Sequence, residues 1–364
     1  MTDVIGPPVA FDPELDAAIA IIREKLPDFG AILARTGDLG ATVREGRALI
    51  ATAMAEQFGG QDADHTRGGA FTVTERQVPG PAGEPDVSLV LCLPTNAAVP
   101  VGLLYNIHGG GMIGGDAYLG LSSYLAIAEE LGVALVSVEY RLAPEHPHPA
   151  PVEDCYAGLV WTVEHADELG IDPDRVVVVG ASAGGGLAAA TALLARDRGG
   201  PALIGQLLAC PMLDDHNDSY STRQMAGLGG WDQTANGMGW TALLGAAQGG
   251  PDVSPYAAPA RATDLSGLPP AFIDVGSAET FRDEAVAYAS RIWQAGGSAE
   301  LHVWPGGFHG FAGAVPQAAL SQAASAAPGS WLRRIFTSSR TMGSCRSLSA
   351  GWPNSTRTRA PRSR

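Results

Sequence analysis

The sequence predicts an α/β protein: a mainly parallel sheet covered by helices on both faces. Three observations lead there. Val176-Val177-Val178-Val179 is a run of four β-branched residues, which suits a strand buried on both sides. The run leads into Gly180-Ala181-Ser182-Ala183-Gly184-Gly185 and then into Leu187 to Arg196, an Ala- and Leu-rich stretch with helical propensity. Along the rest of the chain, strand-like and helix-like segments alternate, the pattern of a parallel sheet built with crossover helices.

Taken in order, residues 12–58 read as helical. Leu15, Ala18, Ile19, Ile22 and Leu26 recur at helical spacing, Pro27 interrupts them, and Val43, Leu49, Ile50 and Met54 resume the pattern. A minimal α/β sheet has no such preface, so residues 1–60 are expected to form N-terminal cap helices. Phe71 to Val78 and Val87 to Leu93 read as strands joined by the turn Pro79-Gly80-Pro81-Ala82-Gly83. Pro100 to Ile107 is a third strand, running directly into His108-Gly109-Gly110-Gly111. Leu121 to Leu131 is helical, Val133 to Val138 a strand, and Val152 to Leu169 a helix with Asp154 in its first turn, where the helix dipole favours a carboxylate. After the valine strand and its helix come the strands Ile204 to Ala209, Ala271 to Val275 and Ala299 to Trp304. The core is thus expected at 61–212 and 263–336. Residues 213–262, rich in Gly, Asp, Asn and Ser with Trp231 and Trp240, are too long for a mere connection and are expected to complete the cap. Residues 337–364 carry Ser, Thr, Arg and Gly with no acid and no periodicity, and are expected to be a disordered basic tail.

The chain has 364 residues, 46% hydrophobic and 17% charged, as in globular proteins. A net charge of −15 argues against nucleic acid and anionic membrane surfaces as partners. Cys92, Cys155, Cys210 and Cys345 are widely spaced, with no C-x-x-C, and no metal site is expected. Met1-Thr2-Asp3-Val4 lacks the character of a signal peptide, and no run of roughly 18 apolar residues exists, so no membrane association and a cytoplasmic location are expected.

The chemistry is concentrated at three places. Gly180, Ser182 and Gly184 spell G-x-S-x-G between a strand and a helix, the context of a nucleophile elbow. A dinucleotide site would need glycine where Ser182 stands, and no G-K-[ST] follows for a P-loop. A serine hydroxyl needs a general base oriented by a carboxylate, following in the order Ser, acid, His. Among the histidines after Ser182, His216 lies in a polar Asp-rich run, His302 alternates within a strand, and His309 sits in a glycine-rich loop just past the last strand. His309 is the expected base. Glu279 lies in the loop after Ala271 to Val275 and is the expected acid, whereas Asp274 lies within the strand and Asp283 and Glu284 read as first-turn helix residues. Gly109, Gly110 and Gly111 after a strand, with Ala183 next to the serine, would supply main-chain N–H donors to an oxyanion.

The motifs HGGG at 108–111, YRLAPE at 140–145, GASAGG at 180–185, SPYAAPA at 254–260, SAETFRDE at 277–284 and FHGF at 308–311 give a chain that resembles the hormone-sensitive-lipase family of α/β hydrolases, the bacterial family IV esterases, over roughly residues 12 to 335. The resemblance implies an α/β-hydrolase fold with a helical cap, a serine carboxylesterase acting on small-molecule esters of short to medium chain without a cofactor, a Ser182, Glu279 and His309 triad, and Gly110, Gly111 and Ala183 as oxyanion donors. It also implies a possible homodimer through an edge strand, here Ala299 to Trp304. The chain departs from the family's pattern in Ala181, where Asp usually precedes the serine, and in Glu279, where the acid is usually Asp. Two alternatives stand beside this reading: a catalytically dead ligand receptor on the same fold, and an amide or thioester hydrolase.

Overall fold

In the computed structural model, residues 5–25, 27–58 and 63–346 are described, with the side chains of 53–58 and 339–346 left aside. Leu26, Met54 and Cys345, and the tail from 347 onward, fall outside the described residues or side chains. The chain opens with three helices: α1 (Pro13–Lys25), α2 (Phe29–Thr36) and α3 (Leu39–Phe58). There follow β1 (Phe71–Val78), β2 (Val87–Pro94), β3 (Val101–Ile107), α4 (Leu121–Leu131), β4 (Ala134–Glu139), α5 (Ala150–Glu164), α6 (Ala166–Leu169), β5 (Ile171–Ala181), α7 (Ala183–Asp197) and β6 (Gly205–Ala209). The insertion holds α8 (Tyr220–Gln224) and α9 (Gln233–Leu244), and β7 (Ala271–Gly276), α10 (Arg282–Gln294), β8 (Ala299–Trp304), α11 (Phe311–Ala314) and α12 (Ala319–Arg346) complete the chain.

The strands form one eight-stranded sheet in the order β1-β2-β4-β3-β5-β6-β7-β8. β2 pairs antiparallel with β1 and β4, and every other neighbouring pair is parallel. The valine run shows why both faces are covered. Val176 and Val178 join one core cluster with Leu159 of α5, Leu187 of α7 and Tyr288 of α10. Val177 and Val179 point the other way and join Leu125 of α4 and Trp331 and Phe336 of α12. All four valines are fully buried, so β-branching and two-sided hydrophobicity are both used.

Two expectations need correction. Asp154 is not in the first turn of its helix, which starts at Ala150 and carries Glu153 there. Asp154 is instead a buried carboxylate that accepts from Arg141 Nε and NH2 at 2.8 Å each, and from the Arg141 backbone N–H at 3.0 Å. The acid neutralises a cation tethering the loop after β4, a tertiary use that helix position does not reveal. The segment 337–364 is not wholly without structure, because α12 continues to Arg346.

The N-terminal helices and the insertion meet above the sheet: α2 and α3 pack on α9, and the rings of Phe29 and Trp231 meet edge to face with centroids 6.5 Å apart. Arg261 locks the insertion to itself, donating from Nε and NH2 to the fully buried Asp215 at 2.7 and 2.9 Å.

At the turn from β5 to α7 the packing leaves no room for side chains. A Cβ on Gly180 would lie 2.2 Å from the carbonyl oxygen of Gly184, and one on Gly184 would lie 2.0 Å from that of Ile107 on β3. Gly184→Ala is therefore expected to destabilise the fold by about 2–3 kcal/mol, through overpacking against backbone that cannot yield. Urea denaturation measures this, and a midpoint equal to that of the unsubstituted protein would contradict the packing described.

Candidate active site

Ser182 is the residue at which β5 stops and α7 begins. Its backbone has φ 59° and ψ −122°, a region rarely occupied by residues other than glycine. Three main-chain hydrogen bonds fix it there: Ser182 N–H donates to Ala209 O at 2.8 Å, while Met212 N–H and Gly186 N–H donate to Ser182 O at 2.9 and 3.1 Å. The turn places Oγ at the carboxyl end of the sheet, beside the N-terminus of α7.

His309 reaches the same place from the loop between β8 and α11, and Glu279 from the turn after β7. His309 Nε2 lies 3.0 Å from Ser182 Oγ, and Nδ1 lies 3.1 Å from Glu279 Oε2. A carboxylate can only accept, so Nδ1 carries the proton and Nε2 is left to accept the serine hydroxyl's. Glu279 is 2% exposed in its side chain and His309 13%, and the Phe281 ring meets the imidazole edge-on at 5.1 Å. Burial opposes a charged imidazole at His309, but the Cys210 sulfur and the Glu279 carboxylate together hold its pKa well above the ordinary 6.5. The second carboxylate oxygen, Glu279 Oε1, is buried with no hydrogen-bond partner among the described residues.

The glycine loop is shaped by two aromatic neighbours. His108 is buried and its pKa is pushed down to about 4 by that burial, so the ring is neutral at physiological pH. Its Nδ1–H donates to the Gly109 carbonyl at 2.8 Å. In a trans peptide the C=O and the following N–H point to opposite edges, so fixing Gly109 O turns the Gly110 N–H away from His108. Tyr140 stacks on His108 with centroids 4.1 Å apart, and its hydroxyl donates to His108 O at 2.9 Å. Among the described residues, no main-chain acceptor takes the N–H of Gly110, Gly111 or Ala183. Arg47 of α3 reaches down to the same loop. Its Nε donates to Ile113 O at 2.6 Å, and its NH2 to Ala143 O at 3.0 Å and to Glu145 Oε2 at 2.7 Å.

A cavity of about 620 Å³ encloses Ser182, His309, Gly109, Gly110, Gly111 and Trp231, within the size range of small-molecule sites. Asp274 also borders it. It accepts from Trp304 Nε1 at 3.0 Å, and desolvation pushes its pKa up to about 6. His302 lies apart, stacked on Trp304 and 3.0 Å from Glu300. His216 Nδ1 faces Asp214 at 2.6 Å. Asp214, Asp215 and His216 hold possible metal-ligand atoms within 4.8 Å of one another, but both oxygens of Asp215 are already engaged by Arg261 and by the Gly249 N–H. Cys92, Cys155 and Cys210 are free thiols, and burial pushes Cys92 up to about 12.

Arg47 and the roles of His108 and Tyr140 were not legible in the sequence. Arg47 is one of two arginines in α3, and nothing in its spacing signals a partner 66 residues away at Ile113.

A serine on a strained turn after a parallel strand, with an imidazole and a carboxylate delivered from the ends of two later strands, defines the class of α/β hydrolases. The alpha/beta hydrolase fold family matches residues 104–313. Carboxylesterase NlhH of Mycobacterium tuberculosis is 41% identical over 236 residues, covering 61% of this chain and 70% of that protein. Esterase LipI of the same organism is 36% identical over 256 residues, covering 68% and 78%. Among solved structures, a bacterial heroin esterase superposes with a TM-score of 0.80 at 40% identity, covering 90% of this chain and 98% of its own. A hyperthermophilic esterase from the archaeon Pyrobaculum calidifontis superposes with a TM-score of 0.75 at 27% identity, covering 90% and 99%. The chain belongs to the alpha/beta hydrolase family, in its hormone-sensitive-lipase branch.

A fluorophosphonate is expected to label this protein once, on the peptide that contains Ser182, as read by mass spectrometry. Ser182→Ala is expected to abolish the label, and labelling at another serine would displace Ser182 from the site.

Proposed function

We propose that this protein is a serine carboxylesterase hydrolysing short- to medium-chain carboxylic esters through an acyl-enzyme. The observation that carries the reading is the unbroken run of hydrogen-bonding distances from Glu279 through His309 to Ser182. Ser182 Oγ attacks the ester carbonyl carbon as His309 Nε2 takes its proton. Glu279 holds the imidazole in the required tautomer and stabilises its charged form. The carbonyl π electrons move onto oxygen, and the N–H groups of Gly110, Gly111 and Ala183, with the Gly109 peptide setting their direction, receive the oxyanion. The C–O bond to the alcohol then breaks, and the alkoxide leaves with the proton from His309. Water, deprotonated by the same nitrogen, adds to the acyl-enzyme, and Ser182 departs with its hydroxyl restored.

In this reading residues 1–60 and 213–262 act together as a cap over Ser182, supported by the packing of α2 and α3 on α9. No cofactor takes part. Among the described residues no helix is long and apolar enough to cross a membrane, and the reading places the enzyme in the cytoplasm. β8 lies at the edge of the sheet with Val303 and Trp293 exposed beside it, the surface on which a second copy would pair.

Ser182→Ala is expected to lower kcat on p-nitrophenyl acetate by on the order of 10⁴- to 10⁶-fold. A variant that kept its rate would remove Ser182 from the mechanism. The pH dependence has a definite sign. The base must be neutral to accept a proton, and its pKa is raised above 6.5. Hence kcat/KM falls as pH drops through that raised value, and the acid limb has its midpoint above 6.5. In Glu279→Gln the carboxylate's share of the shift is lost, so the residual activity is expected to show its midpoint at lower pH. A midpoint that stays in place would show that Glu279 does not face the base.

A further inference from the structure

The cavity at Ser182 does not end beneath the cap. It continues as a groove along the sheet face that carries α4 and α12. It touches Gly120 at the N-cap of α4 and Ser123, Ile127 and Glu130 along the helix, positions spaced three and four apart that form one stripe. A stripe of that length spans about 15 Å of helix. The facing wall on α12 is made by Ala324, Ser325 and Pro328. The side chains there are small, and Pro328 has no N–H to give the Ala324 carbonyl four residues back, so this turn neither fills the gap nor draws α4 in. α4 and α12 approach each other closely at a few points at most. They are tied at the far end by an ion pair from Arg333 to Glu130, both well exposed. The floor is Leu207 and Ala209, alternate residues on one face of β6, and the inner end is closed by Tyr124, Cys210 and Asp274.

We infer that this groove is the subsite for the alcohol arm of the ester, taking an alkyl or flat aryl group. The inference rests on the carboxylesterase reading and adds the substrate class to it. The orientation comes from proton transfer. The departing alkoxide must take its proton from His309, so the alcohol lies on the His309 side of the reacting carbon. The groove starts on that side, because Cys210 at its inner end lines the same cavity as His309. The opposite wall of the cavity, where Trp231 lies against Gly111, borders the oxyanion loop and is left for the acyl group. The walls of the groove are largely hydrocarbon, and the Tyr124 hydroxyl and the Asp274 carboxyl are the polar groups at its inner end. A chain lying in the groove emerges between α4 and α12, so the alcohol's length is not set by the volume under the cap.

The test fills the groove from each wall in turn, at exposed positions, with Ser123→Trp and Ser325→Trp. Within each protein, kcat/KM is measured for ethyl acetate, hexyl acetate and ethyl hexanoate, so that folding and expression cancel in the ratios. The hexyl acetate to ethyl acetate ratio is expected to fall about tenfold or more in both variants, the scale on which apolar pockets discriminate. The ethyl hexanoate to ethyl acetate ratio is expected to hold. An alcohol ratio unmoved in both variants, or a fall in the acyl ratio instead, overturns the assignment. A parent protein inert towards all three esters overturns the carboxylesterase reading itself, whereas an active parent with unmoved ratios overturns the groove alone.

Discussion

The structure depends on one residue held where its backbone is strained. Ser182 sits at φ 59° and ψ −122°, which costs on the order of 1–3 kcal/mol. It stays there because β6 and the first turn of α7 together claim its N–H and its carbonyl, and because the glycines on either side let backbone approach within contact of backbone. Held in this conformation, the hydroxyl stands clear of the strand, and the Ala183 N–H opens towards the same space. The loops after β3, β7 and β8 then need only converge on a point that the β5 turn has already defined.

Two imidazoles near that point are set to opposite ends of the titration scale by their surroundings. At His108 burial outweighs the hydrogen bond to Gly109 and the charge of Asp116, and pushes the pKa down to about 4. It is thus a permanent neutral donor, holding the Gly109 carbonyl. His309 is also enclosed, yet Cys210 and Glu279 raise it, so it can carry a proton for part of the cycle. The same side chain supplies a fixed scaffold contact in one case and a mobile proton in the other, and the difference lies in what faces the ring.

Much of this could be read in the chain itself, for local reasons. The valine run identifies β5 because two-sided burial is written in every position. The glycines around Ser182 and after His108 are informative because close backbone approach excludes every other residue. His309 and Glu279 stand out by their place after the last two strands. What stayed hidden is tertiary. Asp154 looks like a helix-start carboxylate, and only the path of the β4 loop brings Arg141 to it. Arg47 has the appearance of a solvated cation on a helix face. The α4 to α12 groove arises from a space between elements some two hundred residues apart, and small residues in a helix are, by sequence, only good helix formers. Residues 337–346 read as tail because Ser- and Arg-rich composition lacks the apolar periodicity that reports a helix, although α12 carries its register to Arg346.

Arg47 has an implication for how the enzyme could be remodelled. Its guanidinium belongs to a helix above the site, yet it holds the carbonyls of Ile113 and Ala143 below, one just past the glycine loop and one in the YRLAPE turn. The upper helices are therefore not a detachable roof. Trimming them to widen access, or grafting another member's helices in their place, removes a brace from the glycine loop at the same stroke. Transplants between relatives will keep their rate only when the arginine and its two carbonyls travel together.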